Sequence, residues 1–236
     1  MSDVARVREG GVLERAARFG LFGADRLGRE LGIRGNGAMV RCAGAPSRPV
    51  HSYTNAAELA ALGRLALTAP RGAPGLEIGS YLGASTRCLA AGLSHLGSRL
   101  YCVDTWRNET MPGGPRDTME AFKENLGSLM EWVVMVRKPS QALRADDLRA
   151  PVGLAFIDGD HSYEATRSDA AKVLPMMRED GVVAFHDCGT FRGVGRVIGE
   201  ILSQGEWVLA GQVDTLVWLR RGRWDANGRA VWSEAR

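Results

Sequence analysis

Short apolar runs alternate with longer amphipathic stretches from about residue 75 to residue 204. The apolar runs predict buried strands at 75–79, 99–104, 132–137, 153–158 and 181–187. The stretches between and after them have helical spacing and predict helices at 83–96, 117–127, 139–148, 163–178 and 193–204. Strands that alternate with helices favour an α/β fold with a doubly wound, mostly parallel sheet.

Both ends of the chain depart from this alternation. Near the C-terminus, two short apolar runs at 207–211 and 215–220 predict a closing antiparallel hairpin. Helical spacing predicts a helix near 11–31, and loop composition extends from Gly32 to Pro49. A helix capped by Asn55, with Glu58 three residues on, is expected to extend to Thr68. The predicted architecture is a seven-stranded, Rossmann-like sheet with an N-terminal helical extension. The predicted division is an extension over 1–70, a core over 71–221 and a polar tail over 222–236.

Composition narrows the class of protein. The chain has 236 residues, 45% of them hydrophobic, which suits one α/β domain with a full core. A net charge of +3, spread along the chain, does not indicate a nucleic-acid partner. No membrane span or apolar signal core is visible, so we expect a cytoplasmic protein, and whether it forms a homo-oligomer stays open. The cysteines show no C-x-x-C pairing and are expected to be free thiols.

A glycine turn follows the first strand and carries the most specific signal. Gly79-Ser80-Tyr81-Leu82-Gly83 leads into a helix that begins near Ser85, and the next strand ends on Asp104. Such a turn presents backbone N–H groups to a ligand, and the acid can accept the hydroxyls of a ribose. The G-x-x-x-G spacing differs from the G-x-G-x-x-G of dinucleotide sites, which favours S-adenosyl-L-methionine over NAD. A structural turn without a ligand is the alternative.

Polar side chains also follow the later strands. Asp158 follows the fourth strand, and His186 and Asp187 follow the fifth. Neighbouring parallel strands end at the same edge of a sheet, so these three side chains should lie close together, where a divalent cation would offset the repulsion between carboxylates. Mg²⁺ is the first expectation, and the imidazole also permits Mn²⁺ or Fe²⁺. In the alternative, Asp158 caps a helix and Asp187 only ends a strand.

His161 lies three residues after Asp158, in the loop before the next helix. A histidine at this position faces the same predicted pocket, and its ordinary pKa near ~6.5 suits a general base at neutral pH. The alternative is a histidine that only hydrogen-bonds to the start of the helix.

Over residues 74–190 the chain resembles class I S-adenosylmethionine-dependent methyltransferases, among them metal-dependent O-methyltransferases of the catechol type and bacterial sugar O-methyltransferases. The resemblance implies that the turn binds the methionine end of the cofactor, that Asp104 binds the ribose and that Ser140-Gln141 lie at the adenine edge. It also implies that His161 is the base. The implied cofactor residues are Gly79, Ser80, Tyr81, Gly83, Ser85, Asp104, Ser140, Gln141 and Asp158.

The resemblance matches Asp158 and Asp187 to two metal ligands, and His186 is the third candidate because of its place beside them. Two positions depart from the families. Cys188 stands where the catechol type has Asn, and His186 stands where the sugar enzymes have an acid. The sequence thus predicts a metal-assisted O-methyltransferase that acts on a hydroxyl of a small molecule, a sugar or polyol first and a catechol-like phenol second. An NAD-dependent oxidoreductase and a non-catalytic adenosyl-ligand-binding protein are the alternatives.

Overall fold

The computed structural model describes residues 26–109, 113–148, 151–225 and 229–232. Its α-helices are α1 (Arg26–Cys42), α2 (Ala56–Leu67), α3 (Ala84–Ser94), α4 (Met119–Leu126), α5 (Tyr163–Val173) and α6 (Arg192–Ser203). Its strands are β1 (Gly75–Ile78), β2 (Leu100–Asp104), β3 (Val133–Arg137), β4 (Val152–Ile157), β5 (Met177–Phe185), β6 (Trp207–Val213), β7 (Leu216–Trp224) and β8 (Ala230–Trp232).

The strands form one sheet in the order β3-β2-β1-β4-β5-β7-β6, with β8 paired to β7. Strands β1 to β5 pair in parallel, and β7 runs antiparallel to both β5 and β6. The predicted fold class, a doubly wound and mostly parallel sheet with a closing antiparallel hairpin, is confirmed. Since β1, β4 and β5 are neighbours in register, the residues that follow them meet at one edge, which we call the carboxyl edge.

Both faces of the sheet are covered. One face packs under α1 to α4 with fully buried Leu62, Leu89 and Phe122, and the other packs under α5 and α6 with Phe185 and Ile198. Burial on both faces explains why the parallel strands are continuously apolar rather than alternating. The helices α1 and α2 share the first of these cores with α3.

The N-terminal extension differs from the prediction. The stretch from Gly32 to Pro49 was expected to be a loop, but α1 continues through it to Cys42. Val40 is buried against α2 and α3, and Asn36 donates a hydrogen bond to the Cys88 sulfur. Tertiary packing therefore overrides the low helix propensity of its glycines. The predicted helix over 11–31 lies outside the described residues up to residue 25.

Two other predictions were wrong in detail. The helix expected over 139–148 is a pair of short 3₁₀ turns, Ser140–Ala142 and Ala145–Asp147. Its residues are mostly exposed, so no apolar face stabilises a full helix there. Helix α5 stops at Val173, where a 3₁₀ turn containing Pro175 precedes the early start of β5. Part of the predicted tail is ordered, because β7 extends to Trp224 and pairs with β8.

All four cysteines are free thiols, as predicted. Among the described residues, none of the helices is long and apolar enough to span a membrane. The division of the chain at residues 70 and 221 stays a prediction.

Candidate active site

The glycine turn between β1 and α3 requires glycine at both ends. Gly79 and Gly83 have φ values of +85° and +87°, in the left-handed region. A Cβ on Gly79 would collide with the backbone of Asp158, and one on Gly83 would press on Phe122 and Leu126. The first glycine therefore allows the turn to lie directly against the end of β4.

Glu77, which the sequence analysis did not single out, organises the turn from below. Its fully buried carboxyl accepts hydrogen bonds from the hydroxyls of Ser80 (2.7 Å), Ser85 (2.7 Å) and Thr86 (2.6 Å). Burial raises the pKa of Glu77, and these hydroxyls offset only part of that rise. The hydroxyls of Ser80 and Ser85, two of the implied cofactor residues, thus point to Glu77. The sequence signal for this role of Glu77 was an acid inside an apolar strand, followed by three hydroxyl residues within nine positions.

Asp104 at the end of β2 is tied to the same turn. One carboxylate oxygen accepts the backbone N–H groups of Ser80 (2.8 Å) and Tyr81 (2.9 Å), and the other accepts that of Trp106 (2.6 Å). An ionised carboxylate has about four lone-pair sites, so these three contacts leave one acceptor site for a ribose hydroxyl, on the oxygen that accepts the Trp106 N–H. Asp104 therefore fixes the turn and can also serve as the predicted ribose ligand.

The predicted adenine-edge pair follows β3. Ser140 is half-buried and Gln141 is exposed at the start of the first 3₁₀ turn. Ser140 is hydrogen-bonded to Asp169 of α5, a residue that sequence reasoning missed. Burial raises the pKa of Asp169 to about 6, because its carboxyl is almost fully removed from water.

The backbone at the carboxyl edge continues the sheet and sets Asp158 and His186 side by side. Asp158 donates its N–H to the Ile78 carbonyl (2.9 Å), and His186 donates to the Ile157 carbonyl (3.2 Å). Asp187 has φ +59°, a strained value for a non-glycine residue that turns the chain out of β5. Such strain at the end of a strand is common at functional sites.

Three side chains converge at this edge. The Nε2 atom of His161 lies 3.4 Å from Asp158 Oδ1 and 3.1 Å from Asp187 Oδ2. One ligand atom from each of the three residues lies within 4.8 Å of the others. Asp158 and Asp187 meet as the sequence predicted, although they follow different strands, and His161 faces the same pocket.

His186 lies on the buried side of this group, whereas the other three side chains are partly exposed. Its Nδ1 is 3.2 Å from Asp158 Oδ1 and 3.4 Å from Asp187 Oδ2, and its Nε2 is 3.1 Å from Glu58 Oε2. Both ring nitrogens therefore face carboxylate oxygens, and the predicted role of His186 as a metal ligand stays a prediction. Glu58, in the N-terminal helix α2, is a further residue that the sequence analysis did not assign to the site.

The charges of the site are strongly coupled. Burial alone would lower the pKa of His186, but its contacts with Asp158, Asp187 and Glu58 raise it to about 12. Burial alone would raise the pKa of Glu58, but hydrogen bonds from His186 and Thr215 lower it to about 2. The pKa of Asp158 is also lowered, since its histidine partners outweigh burial. Asp158 in turn raises the pKa of His161.

Aromatic side chains flank the site. The ring of Phe191 stacks on His161 with 4.5 Å between centroids, and 43% of Phe191 is exposed. On the side of the glycine turn, the ring centroids of Tyr53 and Tyr81 are 6.1 Å apart, and Arg116 donates a hydrogen bond to the Tyr81 hydroxyl. These rings provide surfaces against which a small molecule could pack.

The donor chemistry of the cluster fits a hard divalent cation. Carboxylate oxygens from Asp158 and Asp187, with an imidazole nitrogen nearby, are suitable ligands for Mg²⁺ or Mn²⁺. The side chains are only partly exposed, at 19% for Asp158 and 17% for Asp187, so a cation there would be partly shielded from water.

The sheet is thus mostly parallel with a closing antiparallel hairpin, and the glycine turn lies beside its acidic carboxyl edge. Residues 76–188 match the family model described as a methyltransferase domain. This stretch runs from β1 to just past Asp187 and contains every predicted site residue. The match agrees with the methyltransferase domain that the sequence resemblance predicted.

Solved structures share the fold. The chain is similar to the Podospora anserina methyltransferase PaMTH1 bound to SAH (TM-score 0.54, 12% identity), with 94% of this chain and 97% of that one covered. It is also similar to CalS11, a TDP-rhamnose 3'-O-methyltransferase of calicheamicin biosynthesis (TM-score 0.51, 18% identity, 84% and 96% covered). A third is MycE of the mycinamycin pathway, in complex with Mg and SAH (TM-score 0.52, 16% identity, 84% and 57% covered). No curated protein matches the chain significantly.

Proposed function

We propose that this methyltransferase transfers the methyl group of S-adenosylmethionine to a hydroxyl of a small molecule, assisted by a divalent cation. One observation carries the proposal. The glycine turn at Gly79 lies directly against Asp158, so a cofactor on the turn would adjoin the cluster of Asp158, His161 and Asp187.

The cofactor would lie across the carboxyl edge. The turn residues Gly79, Ser80, Tyr81, Gly83 and Ser85 would hold its methionine end, chiefly through backbone groups, because Glu77 occupies two of their hydroxyls. Asp104 would accept the ribose hydroxyls, and Ser140 with Gln141 would border the adenine. Asp158 borders both the turn and the cluster.

The chain's own residues supply binding and proton transfer. Asp158 and Asp187 would hold the cation, which when bound lowers the pKa of an acceptor hydroxyl. His161 would take the hydroxyl proton on a ring nitrogen, and its Nε2 atom faces the two aspartates. The carboxylate contact that raises the pKa of His161 makes its neutral form a stronger base. Methyl transfer then depends mainly on aligning the acceptor oxygen with the sulfonium methyl.

The acceptor would pack beside His161, against the exposed ring of Phe191. Aromatic faces suit both a sugar ring and a phenol. A sugar or polyol is our first candidate, and the similarity of fold to a TDP-rhamnose methyltransferase and to MycE supports it.

The test is methyl transfer from radiolabelled S-adenosylmethionine to a panel of nucleotide sugars, glycosides and catechols. Assays would contain Mg²⁺ or Mn²⁺, or exhaustive EDTA, and calorimetry would compare binding of S-adenosylmethionine with that of NAD. We expect cofactor binding without metal and transfer only with metal. Full transfer in EDTA, by protein shown to be metal-free, would contradict the role of the cation. Binding of NAD alone would contradict the proposed cofactor.

A further inference from the structure

Glu58 lies outside the part of the chain that matches the methyltransferase domain, yet it contacts His186 behind the acidic cluster. It is 2% exposed and belongs to α2, whereas the match begins at residue 76. One carboxylate oxygen accepts the N–H (2.9 Å) and hydroxyl (2.7 Å) of Thr215 at the turn between β6 and β7. The other accepts the N–H of Asn55 (3.0 Å) and faces His186 Nε2 (3.1 Å). Glu58 is therefore held rigidly by two segments.

His186 connects Glu58 to the two aspartates. Its ring has Glu58 on one side and Asp158 with Asp187 on the other, at 3.1 to 3.4 Å. Only 4% of the imidazole is exposed, so no water replaces these partners. A ring held at both nitrogens cannot turn about its side-chain bonds, and the oxygens that it contacts are held with it.

We propose that Glu58 is a positioning residue, which fixes the His186 imidazole and through it the orientation of Asp158 and Asp187 toward the divalent cation. The inference rests on the proposed function, because it concerns the same cation site. It gives helix α2 a role in the cation site, whose aspartates and histidines lie within the matched residues 76–188.

Geometry supports this division of roles. His186 contacts one oxygen of each aspartate from the buried side, which leaves their remaining lone pairs for a cation on the side of His161. Partners that orient metal ligands from behind typically change metal affinity by about 10- to 100-fold when removed. Glu58 and His186 have the arrangement of such partners.

The experiment measures Mn²⁺ binding to the full chain by electron paramagnetic resonance, with S-adenosylmethionine affinity and thermal stability measured in parallel. We expect Glu58→Gln, which keeps the size of the side chain, to weaken Mn²⁺ binding by about 10- to 100-fold. Cofactor affinity should stay within about twofold, since Glu58 does not contact the glycine turn. Asn55→Ala is the matched control, because it removes the side-chain cap of the same helix but leaves the His186 contact.

Two further variants test the route through His186. In a His186→Gln background, Glu58→Gln should cause little additional loss of Mn²⁺ affinity, since coupled residues are non-additive. Thr215→Val removes one hydrogen bond to Glu58 and should weaken Mn²⁺ binding by a smaller factor, roughly two- to tenfold. This variant also tests the proposal if Glu58→Gln fails to fold.

Outcomes separate the proposal from the function on which it rests. Equal Mn²⁺ affinity in wild type, Glu58→Gln and Thr215→Val, with loss of binding in Asp158→Asn, would overturn the role of Glu58 alone. A loss of affinity in Asn55→Ala as large as in Glu58→Gln would reduce Glu58 to helix stabilisation. Wild-type protein that binds no Mn²⁺ would overturn both this role and the proposed cation.

Discussion

Two buried glutamates support two regions of the same sheet edge, and their ionisation differs. Glu77 lies under the glycine turn among neutral hydroxyls, and burial raises its pKa. Glu58 lies behind the acidic cluster against an imidazole, and its pKa is lowered to about 2. Both side chains are at most 2% exposed, and Glu58 has an imidazole partner where Glu77 has only neutral ones.

The partners also differ in their distance along the chain. Ser80, Ser85 and Thr86 lie within nine residues of Glu77, so the turn and its support form one local unit. His186 is 128 residues from Glu58, and Thr215 is 157 residues away. The proposed cofactor region is thus built locally, whereas the proposed cation region exists only when distant segments meet. Each variant below affects one region and should spare the other.

The largest effect should come from the cation region. Asp158→Asn and Asp187→Asn should each abolish metal-stimulated methyl transfer, because an amide is a much weaker ligand for a divalent cation than a carboxylate. Cofactor affinity should remain nearly intact, since the turn keeps its own support. Transfer assays and calorimetry would check both. Metal-stimulated transfer in either variant would show that the carboxylate is dispensable.

His161→Ala should lower kcat by about 10²- to 10⁴-fold, the usual contribution of a positioned general base. The cofactor should still bind, because His161 contacts the aspartates and Phe191 rather than the turn. Rates at saturating substrates would be compared with those of Phe191→Leu, which removes only the stacked ring. A kcat near that of the wild type for His161→Ala would leave the cation as the activating group.

In the cofactor region, Asp104→Ala should weaken S-adenosylmethionine binding by about 1.5–3 kcal/mol, the range for losing a hydrogen bond to a charged group. The variant also frees the N–H groups of Ser80, Tyr81 and Trp106, so a lower melting temperature should accompany the loss. Titration calorimetry measures the affinity, and Mn²⁺ binding serves as the control that should not change. Unaltered cofactor affinity would remove Asp104 from the ribose site.

The smallest effect concerns Glu77→Gln and appears as a pH dependence. A carboxyl with a raised pKa binds more protons in the folded state, so wild-type stability should fall as the pH rises above the ordinary value of 4.5. The variant does not titrate there, so its melting temperature should rise relative to that of the wild type as the pH rises above about 4.5. Parallel scans at several pH values measure the difference. A constant difference over this range would contradict the raised pKa.

The sequence by itself determined the features that depend on local order. The apolar runs and their helical spacers predicted the strands of the sheet, and Asn55 with Glu58 predicted the cap of α2, which is present. The glycine spacing predicted the turn, because a Cβ on Gly79 would collide with the backbone of Asp158. The residues after β4 and β5 predicted the acidic cluster, because parallel neighbours must end at the same edge.

The tertiary structure decided the features that the local sequence pattern cannot specify. Helix α1 forms across Gly32, against propensity, because its side chains pack on α2 and α3. The stretch over 139–148 forms only 3₁₀ turns, because little of it is buried. From the sequence, Glu58 was interpreted only as a helix-cap residue. Its contact with His186 forms only because α2, the end of β5 and the β6–β7 turn come together in the fold. The local sequence pattern does not specify which distant segments pack together.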